Sequence, residues 1–273
     1  MRTLLVVAGI VVIALPLPAQ AQGRAGGGPG GVLGPLNSLG QEVRLPPPPA
    51  GPAPRLPDGT IDLNGAWNGG GPGGNLAQGL KPGETLPLLP SSKALMDLRL
   101  TREMDDPFFW CLPMGVPRTT PYPFRFVQNY THKAPTHMFL LHEGNIHSYR
   151  QIFMDGRTHP AELDPTWFGH SIGWYEGKDT LVIDTVGYND KFWFDRRGTP
   201  HTEQLHTVER WTRPDLGHLV NAVTIDDPGA FSRPFTVTYQ ATLSPSGDEL
   251  MENFCLENNQ FGIAGGNANP YNK

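Results

Sequence analysis

The stretch HEGNIHSYRQIFMDGRTHP, residues 142–160, gathers His142, His147, His159, Arg150, Arg157, Glu143 and Asp155 within a pattern that alternates like a strand. Imidazole beside carboxylate is the smallest side-chain set that moves protons near neutral pH. Arg150 lies among Tyr149, Ile152 and Phe153, where an unpaired guanidinium is costly. It needs a carboxylate, with Asp184 and Glu209 as candidates, or an anionic or carbonyl oxygen of a ligand. A structural ion pair and a ligand-holding role are both open to it.

A second rich stretch is DTVGYNDKFWFDRRGTPHTEQLHTVERW, residues 184–211. Its middle, Gly187 to Pro200, is the longest gap between consecutive strand candidates and reads as a lid or binding loop. A loop packed on its own aromatic residues is the competing reading. His206 and Glu209 stand three apart on one strand, so they face opposite ways. The expected catalytic set is His147, Arg150, Asp190, His201 and Glu203. His201 or His147 would move the proton, Asp190 or Glu203 would orient or share the base role, and Arg150 would stabilise negative charge on a substrate oxygen. Tyr149, Tyr188, Trp193, His206 and Glu209 are the expected substrate contacts.

Other chemistries lack their signatures. There is no G-x-S-x-G elbow, and GGGPGG near residue 70 has no Lys-Ser/Thr and no strand–helix frame after it. No H-E-x-x-H occurs. A cross-strand pair of His142 and His147 would need His159, His201 or a carboxylate to complete a metal site. The expectation is neither a metal nor an organic cofactor.

The elements that must position these groups are mostly strands. Residues 136–143, 146–154, 169–176, 179–186, 202–212, 218–226, 233–243 and 249–257 alternate or carry β-branched and aromatic runs. Turn chemistry separates them: Gly144-Asn145, Asp155-Gly156, Gly177-Lys178, Asp227-Pro228-Gly229 and Pro245-Ser246-Gly247. The expected fold is all-β, an antiparallel meander of about eight strands closed as a barrel or folded as a sandwich. One short helix precedes it at residues 91–100, capped by Ser91 or Ser92, with Ala94, Leu95 and Leu98 on one face. With Gly144-Asn145 as a two-residue hairpin loop, His142 faces His147, Leu140 pairs with Tyr149, and Phe139 with Arg150. Neither face of that hairpin is purely apolar, which suits a barrel holding a ligand.

The ends and the composition set the compartment. Residues 1–21 read as a signal peptide: Arg2, an apolar run from Leu4 to Leu15, and Ala19-Gln20-Ala21 as cleavage site. Residues 22–57 are half Gly and Pro and read as a linker; 58–260 form a single β-barrel domain, and 261–273 a flexible tail. No later stretch approaches a membrane span. A net charge of −5 without a basic cluster argues against nucleic acid. The two cysteines, Cys111 and Cys255, read as a disulfide formed in an oxidising compartment, periplasmic or secreted.

The blocks CLPMGVPR, PYPFRFVQ, SYRQIFMDGRTHP, DPTWFGHSIGWYEGKDTLVIDTVGYND, GTPHTEQLHTVERW, IDDPGAFSRPF and ENFCLENN are similar to the successive blocks of a large, mostly uncharacterised family of exported bacterial proteins. The resemblance covers roughly residues 55–260. It implies export and a common fold, and it assigns no activity. Gly65-Ala66-Trp67, a Gly-x-Trp ahead of the strands, also resembles the first strand of lipocalin-like barrels. Together these observations point to an exported barrel that binds a hydrophobic or aromatic small molecule and performs lyase, hydratase or isomerase chemistry on it. The alternatives are a non-catalytic carrier of such a ligand and a metal-assisted hydrolase.

Overall fold

Nine strands, hydrogen-bonded in chain order, close into one barrel in the computed structural model, which describes residues 47–131, 134–144, 148–245, 248–252 and 255. The signal-peptide residues, the linker up to residue 46, the tail and His147 lie outside these residues. The strands are β1 (Trp67–Gly69), β2 (Phe124–Thr131), β3 (Ala134–His142), β4 (Tyr149–Phe153), β5 (His170–Glu176), β6 (Thr180–Val186), β7 (His206–Thr212), β8 (His218–Asp226) and β9 (Phe235–Leu243). Closure is made by β1, which pairs with β9 along its whole length and with β2 at Trp67↔Phe124. The all-β barrel with one short helix is therefore as the sequence implies.

Three local expectations need correction. The meander is not antiparallel throughout, because β4 and β5 run parallel in the register Ile152↔Ser171. A parallel neighbour requires a crossover, and the connection from Met154 to Gly169 supplies it without a helix. β2 is a strand that the turn-like prolines Pro121 and Pro123 concealed, although Phe124 and Phe126 alternate cleanly inward. The candidate at 249–257 is not a strand at its described residues.

The helix α1 (Pro90–Leu100) starts with proline in its first turn after Leu89, so Ser91 and Ser92 do not cap it. It buries Ser92 and Met96 rather than the face bearing Leu95 and Leu98, which stays exposed. Its contacts explain this rotation: Thr199 Oγ1 lies 3.6 Å from Met96 Sδ, and the Arg99 guanidinium sits over the Trp193 ring at 4.9 Å. The last residues of the linker are also part of the body. Leu216 N–H donates to Gly51 O at 2.9 Å, and Arg55 pairs with Asp179.

The barrel is filled by its own side chains. One apolar cluster joins Trp67, Phe124, Phe126, Met138, Leu140, Ile152, Leu181, Ile183 and Trp211. A second joins Tyr188, Phe192, Phe194 and Leu205 to Val223, Ile225, Phe231 and Val237 at the other end. Cys111 and Cys255 are bonded, with Cα atoms 5.5 Å apart. The bridge closes a loop with a sequence separation of 144 residues. Cys111→Ser should lower the unfolding free energy by about 5 kcal/mol on loop-entropy grounds, read from urea unfolding of the oxidised protein and the variant.

Candidate functional site

The β3–β4 hairpin decides where Arg150 points. Glu143 N–H donates to Pro123 O rather than into the β3–β4 ladder, and His142 N–H donates to Ser148 O, each at 2.9 Å. The loop therefore runs longer than Gly144-Asn145, and the register moves by one: Leu140 pairs with Arg150 and Leu141 with Tyr149. A one-residue slip exchanges the faces of a strand. Arg150 turns inward at 2% exposure, and Tyr149 turns outward at 60%. Tyr149 thus does not line the interior, contrary to expectation.

Inside, Arg150 is fully engaged. One guanidinium nitrogen is paired with Glu209, the other donates to Thr185 Oγ1 at 2.5 Å, and Nε donates to Ser171 Oγ at 3.0 Å. Glu209 also accepts from Trp211 Nε1 at 3.3 Å. Of the two carboxylates open to Arg150, the partner is Glu209. The residual void at this layer, beside Thr119, Thr120, His142, Arg150 and Glu209, measures about 10 Å³. That admits one water at most. His142 Nδ1 and Asn221 Oδ1, both buried, find no protein partner here. Burial, and then the Arg150 charge, push the His142 imidazole down to about 3, so it stays neutral at ordinary pH.

The loop from Gly187 to Pro200 is packed on itself rather than open as a lid. Tyr188, Phe192, Trp193 and Phe194 are all buried. Gly115, at φ 64°, approaches so closely that a Cβ there would lie 2.6 Å from the Phe192 ring. Asp195 organises the loop: it accepts from Thr199 N–H, Thr199 Oγ1 and, at 2.6 Å, Leu76 N–H. Tyr188 gives its hydroxyl contact to Thr207 at 2.7 Å. Tyr188 and Trp193 are therefore core rather than ligand walls. His201 is wedged against Phe192, ring centroids 3.8 Å apart, and burial pushes it down to about 4. Asp190 and Glu203 lie exposed on the outside, so the expected His201 dyad with either is not assembled. Among the described residues the expected catalytic set is thus not brought together, and His147 lies outside them.

The outer wall carries a different constellation. On β6, Leu181, Ile183 and Thr185 point inward, so Asp184 points out. His206, the outward neighbour of Glu209 on β7, places Nε2 2.9 Å from Asp184 Oδ1. His159, delivered by the crossover, places Nε2 3.1 Å from the same oxygen. Its other nitrogen, Nδ1, lies 2.8 Å from His170 Nδ1 at the start of β5. Four groups thus form a chain, His170–His159–Asp184–His206, at the protein surface.

Their electrostatics differ in sign. The hydrogen bond to Asp184, opposed by partial burial and assisted by the carboxylate charge, raises His206 above the usual histidine value. Burial lowers His170, and the neighbouring His159 and Arg157 charges lower it further. Partial burial works to raise Asp184, but hydrogen bonds and charge from His206 and His159 outweigh it and hold the carboxyl below its ordinary value. Phe153 stacks on His170 at 5.0 Å, and Arg157 lies over Phe153 at 3.9 Å. Sequence reasoning named Asp184, His159 and His206 separately and missed His170. The signal was the parity of TLVIDTV, blurred because Val182, on the outward side, is also apolar.

No group of three metal-ligating side chains is assembled among the described residues, and no helix there is long and apolar enough to cross a membrane. No family model, curated protein or solved structure matches the chain.

Proposed function

We propose that the protein is an exported enzyme that moves protons on an organic substrate at the outer-wall cluster, in a lyase, hydratase or isomerase reaction. His206 is the general acid, His170 the general base, and His159 relays between His170 and Asp184. The single observation that carries this is one carboxylate flanked by imidazoles whose proton affinities move apart, His206 up and His170 down. Environments that separate paired titratable groups are how acid and base roles are assigned. With Asp184 ionised, His159 Nε2–H donates to it, leaving Nδ1 to accept from His170 Nδ1–H. Once His170 has taken a proton from substrate, its Nδ1 proton can pass to His159 Nδ1, whose Nε2–H rests on the Asp184 carboxylate. The disulfide and the resemblance to exported bacterial proteins support export. A carrier that encloses its ligand is less well supported, since the interior void is about 10 Å³.

The test has two arms. Ring-proton titration by NMR should give His206 above the ordinary value of about 6.5 and His170 below it. Coincident titration of the two near that value would sink the assignment. With the mature protein and a pool of carbonyl-containing and aromatic compounds in deuterated water, Asp184→Asn should cut solvent-deuterium incorporation about 100-fold or more, while circular dichroism stays unchanged.

A further inference from the structure

The outer wall of the barrel is not uniform. On β9 the outward residues are Thr236, Thr238, Gln240 and Thr242, an ordinary wetted face. On β3, β4 and the start of β5 the outward positions hold a run of rings that ends at the acid–base cluster. Tyr149 meets Phe139 at 6.1 Å, Phe139 lies nearly parallel to His137 at 5.9 Å, His137 meets Phe153 at 5.3 Å, and Phe153 stacks on His170 at 5.0 Å. Each step is close to the last, so the rings form a regular track along the wall. Val127, the cross-strand partner of Phe139, is 40% exposed beside it. Tyr149 and Val127 are exposed and the rings beyond them half-buried, a contiguous apolar strip of the kind that marks a binding surface.

The chemistry of the track narrows what it holds. Polar side chains interleave with the rings: Gln151 pairs with Phe139 across β3 and β4 and is exposed, and His137 is itself a ring with hydrogen-bonding edges. The charged groups nearby are mutually paired, Arg157 with Asp155 and Arg125 with Glu249. The surface is therefore ringed, nearly neutral, and edged with donors and acceptors. A purely hydrocarbon ligand would leave the Gln151 amide and the outer nitrogen of His137, whose Nδ1 is held by Thr136 Oγ1, without partners, at a cost when they are covered. A nucleic acid would need unpaired cations. A chain of sugar rings meets each requirement, with apolar faces for the aromatic rings and hydroxyl edges for the amide and imidazoles.

We infer that this track binds a glycan chain and guides it to the His170–His159–Asp184–His206 cluster. The inference rests on the proposed acid–base site for its catalytic consequence, but binding is measurable without turnover. Affinity electrophoresis of the full chain through gels containing hydroxyethylcellulose, xylan or polygalacturonate should show retardation in at least one polymer. Tyr149→Ala with Phe139→Ala should remove at least 10-fold of that affinity, whereas Asp184→Asn should leave retardation intact. Since Phe139 is partly buried, Tyr149→Ala alone, at an exposed side chain, guards against misfolding and should weaken binding about 3-fold.

Other occupants give other results, each of which overturns the inference. Absence of retardation in all three gels, or retardation indifferent to Tyr149→Ala, leaves the track without a glycan. Binding of anilinonaphthalene sulfonate that is lost in Tyr149→Ala, without glycan retardation, makes it a site for free aryl compounds. A dimer by sedimentation that dissociates in Tyr149→Ala makes it a contact between copies of the chain. Retardation lost in Tyr149→Ala while no compound gains deuterium in the parent chain upholds the track and fails the acid–base reading, whereas deuterium incorporation lost in Asp184→Asn without any retardation does the reverse.

Discussion

Glu209→Gln should destabilise the barrel by about 3–5 kcal/mol while leaving its shape unchanged. The substitution keeps the volume and removes the charge, so Arg150 remains a buried cation whose partners are all neutral, the hydroxyls of Ser171 and Thr185 and an amide oxygen. Breaking a buried pair from one side costs that much because the surviving charge is uncompensated. Arg150→Met exposes the opposite fault, an unpaired carboxylate at 0% exposure, and should cost a similar amount. The two changes together, Arg150→Met with Glu209→Leu, should recover most of the loss, since an apolar replacement of both partners is often neutral. Equilibrium urea unfolding of the three variants decides it. A cost below about 1 kcal/mol for Glu209→Gln would mean that water reaches the pair and that the barrel opens at this layer. His206 should titrate as before in all three, because Glu209 and His206 lie on opposite faces of β7.

The sequence made the barrel legible because its evidence is local. Alternation and turn chemistry do not depend on distant partners, and β5 to β9 follow them closely. The β3–β4 register was not legible, because it is set by Pro123 O capturing the Glu143 N–H, a contact from another segment. That contact goes with Arg150 turned inward and Tyr149 turned outward. The loop at 187–200 was ambiguous for a related reason. Aromatic residues that wait for a ligand and aromatic residues that plug a barrel have the same composition; Asp195 binding Leu76 N–H, far away in sequence, selects the plug. The outer cluster needed three separate segments, the crossover, β5 and β7, to converge on Asp184 in β6. Each contributes a lone histidine or aspartate with no spacing rule connecting them.

Acid should unfold this protein well before its carboxylates are neutralised. His142 and His201 are held neutral by burial, at about 3 and about 4, whereas in the unfolded chain they titrate near 6.5. The sign follows from proton binding. Above about 6.5 neither state protonates them, and their contribution to pH dependence is nil. Below it the unfolded chain takes up two protons that the native protein refuses, so stability falls as pH falls, until the folded values are reached. Two protons correspond to a slope of about 2.7 kcal/mol per pH unit, or about 5 kcal/mol between pH 6.5 and 4.5. That is comparable to the whole stability of an ordinary domain. His206 works in the opposite direction, since its raised value stabilises the fold as pH drops and is lost on the alkaline side. Asp184, held low, contributes stability that is lost only below the ordinary carboxylate range, as pH falls toward its lowered value. The window from 6.5 to 4.5 thus belongs to the two buried imidazoles, with the lowered His170 adding to the loss, whereas the gain from His206 develops above 6.5 and is constant below it. Urea midpoints measured across it should fall steeply in the parent chain. His142→Gln or His201→Gln should each flatten the slope by about 1.4 kcal/mol per unit, whatever it does to stability at pH 7. An unchanged slope in both variants would show that these rings are protonated in the native protein, and hence that water enters the layer beside Arg150 on which the closed-core reading depends.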